Sequence, residues 1–158
     1  GIGKGYAANR AKAIMIDAGV HGGIVNAGGD LTAWGQSPEG SEWGIAIANP
    51  VMPDKPVGWL NIKDLAVVTS GNYERYALID GVRYAHIIDP RTGWPACGLT
   101  SVTVVCSDAE LADALATAVF VMGKDEGLEL INTLEGIECL VIDEEGNWFA
   151  TENLFIRH

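Results

Sequence analysis

The sequence predicts an α+β fold, a mostly antiparallel sheet with helices packed on it. Three observations point there. Short apolar or β-branched runs recur along the chain, and two pairs of them are joined by the turn dipeptides Asp80-Gly81 and Glu145-Gly146. A capping box, Ser107-Asp108-Ala109-Glu110, announces a helix in the second half. No long helical spacer alternates with the strands, as a doubly wound parallel sheet requires. At 158 residues the chain is long enough for one domain with a real core, spanning 1–158.

Taken in order, Ala7, Ala11, Ile14 and Ala18 recur at helical spacing and predict a helix over 4–18 with those residues on its apolar face. Gly19 and Gly22-Gly23 stop it. Strands are expected at 24–26, 31–34 and 43–48, the first two joined across Gly28-Gly29. Residues 49–56 are a Pro-rich connection. Further strands follow at 58–62 and 65–69, then a hairpin of 73–79 with 82–88. Residues 89–98 form a Pro- and Gly-rich loop, and 99–106, rich in valine and threonine, is a strand. The capping box opens a helix over 108–121, Gly123 ends it, and a second helix covers 125–133. Strands at 137–142 and 148–150 close the chain.

Composition narrows the function classes. Nearly half the residues are hydrophobic, which argues against disorder, yet no window is apolar enough to span a membrane. The net charge of −11 repels phosphate backbones and argues against nucleic acid as a partner. A dinucleotide bound by so acidic a chain needs a local cation, a lysine or a helix N-terminus. The three cysteines match no zinc spacing: Cys106 and Cys139 sit in apolar runs as core residues, and Cys97 lies in a loop. The five tryptophans are scattered and read as core and edge packing.

Four positions can carry chemistry. Asp113 and Thr117 lie four apart on the second-half helix, which sets their Cβ atoms about 5–6 Å apart on one face. A carboxylate beside a hydroxyl suits a hard cation such as magnesium, but the same spacing also describes an exposed Asp with a Thr packed beside it. His86 enters a Pro-Gly loop from a strand end, where it serves either acid–base work or a backbone hydrogen bond. Lys4, between two glycines before a helix, either contacts an anion or sits in an ordinary turn. The segment Asn26-Ala27-Gly28-Gly29-Asp30 reads as a structural turn. Ser70 has no Gly-x-Ser-x-Gly elbow around it and is not expected to be a nucleophile.

Together, and in this order, the stretches 1–7, 26–30, 69–73, 86–93, 101–105 and 112–117 resemble the ApbE family of FAD:protein FMN transferases. The resemblance implies magnesium as cofactor and FAD as substrate, with FMN moved onto a threonine or serine hydroxyl of a partner. Hydrolysis of FAD to FMN and AMP by the same residues, and a non-catalytic FAD-binding module, are the alternatives. It implies Asp113, Thr117 and the Gly1 carbonyl as metal ligands, Lys4 and Ile88 as flavin-nucleotide contacts, and His86 as the residue of transfer. Implied partners are flavin-accepting subunits of membrane redox complexes, with a location outside the cytoplasmic membrane and an anchor upstream. Residues 1–158 then correspond to the C-terminal catalytic part, without the family's N-terminal part, and FAD affinity is expected to rise in a longer chain. Some members carry a further Asp where this chain has Ala116.

Overall fold

A computed structural model describes residues 1–50, 52, 54–73 and 76–157. The elements run α1 (Gly3–Asp17), β1 (Gly23–Ala27), β2 (Asp30–Trp34), β3 (Trp43–Ile47), β4 (Gly58–Ile62), β5 (Ala66–Gly71), β6 (Tyr76–Ile79) and β7 (Val82–Ala85). Then come β8 (Leu99–Cys106), α2 (Ala109–Met122), α3 (Lys124–Asn132), β9 (Glu138–Asp143) and β10 (Trp148–Ala150). Six strands form one sheet in the order β1-β2-β5-β8-β9-β10, while β3-β4 and β6-β7 are separate two-stranded ribbons. Every pairing among the described strands is antiparallel, in line with the mostly antiparallel sheet expected. Of the hairpin expected over 73–79 and 82–88, residues 74 and 75 lie outside the described residues; the described strands are Tyr76–Ile79 and Val82–Ala85.

Strand alternation splits the sheet into two apolar faces. Val68, Val102, Val104, Cys139 and Val141 point to the side covered by Ala112, Ala116, Val119 and Phe120 of α2 and Ile131 of α3. Val67, Val105 and Leu140 point the other way, onto Ile45, Ile47, Leu60 and Ile62 of the β3-β4 ribbon. On the helix side, Ala8 of α1 packs with Ala66 and Ala109. Both long helices therefore lie on one face, and the ribbon closes the other. Tryptophan packing is less uniform than expected: Trp34 is buried, but Trp59, Trp94 and Trp148 are largely exposed.

Two expectations about the helices need correction. The inward residues of α1 are Gly5 and Ala8, and Ile14 of the expected face is 61% exposed. So many small residues line this helix that apolar spacing does not choose a face; closest approach does. A Cβ on Gly5 would stand 2.1 Å from the Ala109 carbonyl oxygen, so glycine there lets α1 touch the first turn of α2. The second correction concerns the capping box. The N-cap of α2 is Asp108, not Ser107: its Oδ1 accepts from Leu111 N at 2.9 Å, and Asn9 Nδ2 donates to the same oxygen at 3.0 Å. An Asp one residue on competes for the cap, and its tie to α1 selects it.

Candidate active site

One cavity of about 480 Å³ opens where three elements and two connections converge. Gly1 and Lys4 come from the start of α1, Gly28 from the β1–β2 turn, and Thr69, Ser70 and Gly71 from the end of β5. His86, Ile87 and Ile88 come from the segment after β7, and Asp113 and Thr117 from the middle of α2. All six residues singled out from the sequence, Gly1, Lys4, His86, Ile88, Asp113 and Thr117, line it.

The cation-type oxygens sit where α1 meets α2. Asp113 is buried, and its Oδ2 accepts from the Gly5 backbone N at 3.1 Å, which leaves Oδ1 for another partner. Thr117 Oγ1 donates to the Asp113 carbonyl at 3.2 Å and lies 3.3 Å from Ser70 Oγ and 3.2 Å from the Gly1 nitrogen. The Asp113 carboxylate and the Thr117 hydroxyl, with Gly1 beside them, put oxygen donors of the kind a hard cation takes on one wall of the cavity. Among the described residues no cluster of three or more His, Cys, Asp or Glu exists, so side-chain carboxylates alone do not build a metal centre.

Sequence reasoning passed over Asp30. It reads as part of a turn, yet it starts β2 pointing inward and is completely buried. Its Oδ1 accepts from Lys4 Nζ at 2.7 Å, while its Oδ2 is buried with no hydrogen-bond partner. Its carboxyl is raised to about 6: burial pushes it up most, the Lys4 hydrogen bond and charge pull it down in part, and the nearby Asp113 carboxyl pushes it up as well. The available signal was a carboxylate placed directly after Gly28-Gly29 at the inward position of a strand. Ser70, set aside for want of an elbow, also reaches the cavity through its contact with Thr117.

The loop that carries His86 is clamped to α2. Asp89 N donates to Trp94 O and Ala96 N to Ile87 O, while Gly93, at φ 75°, closes the turn back onto Asp89 O. The Arg91 guanidinium grips Asp89 Oδ2 at 2.9 Å and donates to Val121 O, also at 2.9 Å, near the end of α2. The same guanidinium holds the Asp89 carboxyl below the usual carboxylate range. Thus the sequence-local turn and α2 fix His86 and Ile88 opposite Asp113 and Thr117.

Comparison with known proteins bears on the family and the fold. The sequence pattern of the ApbE family matches residues 1–141. An FAD:protein FMN transferase from Escherichia coli K12 is 36% identical over 152 residues, 95% of this chain and 43% of its own. The crystal structure of an ApbE protein from Thermotoga maritima superposes with a TM-score of 0.89 at 42% identity, covering 99% of this chain and 52% of its own. The apo structure of the Pseudomonas stutzeri flavinyl transferase ApbE gives 0.81 at 34%, over 96% of this chain and 48% of its own. The chain spans about half the length of the relatives it matches. Matched over most of its residues in sequence and nearly all of them in fold, the chain belongs to the ApbE family.

Proposed function

We propose that this chain carries the catalytic, cation-binding part of a transferase that moves FMN from FAD to a threonine or serine hydroxyl of a partner protein. The observation that carries the reading is the convergence of Gly1, Lys4, His86, Ile88, Asp113 and Thr117, from separated stretches of sequence, on one cavity. The relatives' name, FAD:protein FMN transferase, supports the donor and the group moved. The oxygen donors of Asp113 and Thr117 on one cavity wall fit magnesium, and the Gly1 carbonyl is the further ligand that the family resemblance implies.

Asp113 and Thr117 would hold the cation, which supplies charge neutralisation at the FAD pyrophosphate. Lys4 reaches the phosphates from the N-terminal turn of α1, where the helix dipole also favours anions. Ile88, half exposed on the cavity wall, offers an apolar surface to the flavin nucleotide. His86 takes the proton of the incoming hydroxyl. The acceptor oxygen bonds to the FMN-side phosphorus, the bond from that phosphorus to the bridging oxygen breaks, and AMP leaves with the electron pair.

The same groups serve FAD hydrolysis when water replaces the hydroxyl. Incubation of the protein with FAD, magnesium and a threonine-containing acceptor peptide separates the two. A covalent FMN increment on the peptide by mass spectrometry supports the transferase; release of free FMN and AMP with an unmodified peptide refutes it. The acceptor is proposed to be a flavin-carrying subunit of a membrane redox complex, with the reaction outside the cytoplasmic membrane. Among the described residues no helix is long and apolar enough to cross a membrane.

A further inference from the structure

Asp30 is completely buried, grips Lys4 through one carboxylate oxygen, and leaves the other without a hydrogen bond. Asp113 interacts with it across the same site. Around Lys4 the charged side chains are therefore one lysine against two carboxylates, Asp113 on the cavity wall and Asp30 buried behind it, an excess of one negative charge. A lysine alone would attract a pyrophosphate unaided. Held by Asp30 at 2.7 Å, its charge is largely cancelled before any ligand arrives. Burial makes the effect large, since water screens a buried carboxylate weakly.

We propose that Asp30 is the residue that makes FAD binding in this cavity conditional on a divalent cation. Without the cation, the dianionic pyrophosphate meets a site already negative. With it, the local sign reverses, and Lys4 is shared between Asp30 and the phosphates. Asp30 is thus a positioning and charge-setting residue, distinct from the groups that touch the cation or the nucleotide. The inference rests on the cation and FAD reading above.

The test is isothermal titration of FAD into wild type, Asp30→Asn and Lys4→Met, each with magnesium and with chelator. Protein in which Gly1 follows another residue is used, so that no terminal ammonium enters the cavity. Titrations run at a pH of about 8, well above the carboxylate range. The readout is the ratio of Kd without magnesium to Kd with it. Asparagine is isosteric and keeps an acceptor for Lys4 but drops the charge. It is expected to shrink the ratio by about tenfold or more, by tightening the magnesium-free binding. Lys4→Met, which leaves both carboxylates uncompensated, is expected to enlarge the ratio. A merely structural Asp30 would weaken binding equally in both conditions. A ratio above one that is unchanged in Asp30→Asn overturns this proposal and leaves the cation reading standing. A ratio of one in wild type removes the cation reading itself, and the proposal with it. Should Asp30→Asn fail to fold, an unchanged ratio in Lys4→Met overturns the proposal on its own.

Discussion

Replacing Gly5 with alanine tests the contact on which the site is built. By helix propensity alone the change should stabilise, by up to about 1 kcal/mol in a helix interior. The structure predicts the opposite sign. The added Cβ would sit 2.1 Å from Ala109 O, 2.6 Å from Ala109 C and 2.8 Å from Glu110 Cα, all backbone atoms that no rotamer change can move. Ordinary contact begins near 3.4 Å, so the two helices must part by about 1.3 Å there. Overpacking of this kind costs about 1–3 kcal/mol. Parting the helices also lengthens the 3.1 Å bond from Gly5 N to Asp113 Oδ2. A buried carboxylate that loses its donor adds about 1–3 kcal/mol. After the propensity gain of about 1 kcal/mol, the net loss is about 1–5 kcal/mol, a fall in Tm of about 2–20 °C for a chain of this size. Thermal unfolding by circular dichroism measures it. A Gly5→Ala protein as stable as wild type, or more so, would show that α1 and α2 are not held in the contact described, and the derivation of the site from it would fail.

Asp113→Ala should abolish magnesium-dependent turnover of FAD while the domain stays folded; equal rates in wild type and variant across a magnesium titration would refute its assignment. Asp108→Ala removes the cap of α2 and should cost about 1 kcal/mol in an unfolding titration near neutral pH. The Leu111 N–H holds the Asp108 carboxyl below its ordinary 3.8, so this contribution is fully present above pH 3.8 and is lost as pH falls below it. The stability gap between wild type and Asp108→Ala should therefore close in acid; a constant gap would show that the charge is not what caps the helix. Arg91→Ala releases the His86 loop from Val121 O, and hydrogen exchange at Asp89 and Ala96 should quicken without unfolding α2.

Local chemistry settles most of the secondary structure. The Asp80-Gly81 turn needs positive φ at both residues, which the structure shows at 51° and 80°, and only such a dipeptide supplies it cheaply. The alternation in β8 and β9 fixes which residues face the helices, because a one-residue slip would reverse every side chain. The i, i+4 spacing of Asp113 and Thr117 likewise places both on one face of α2 whatever surrounds it. What spacing leaves open is which neighbour a face meets. For α1, whose small residues fit on several sides, only the approach to Ala109 decided that Gly5 and Ala8 turn inward. For Asp30, a turn residue by its neighbours, only burial beside Lys4 and Asp113 made it part of the site. Both depend on contacts between residues far apart in the chain. Turn propensities and hydrophobic periods act over a few residues, whereas steric fit and desolvation act only once the distant partner is in place.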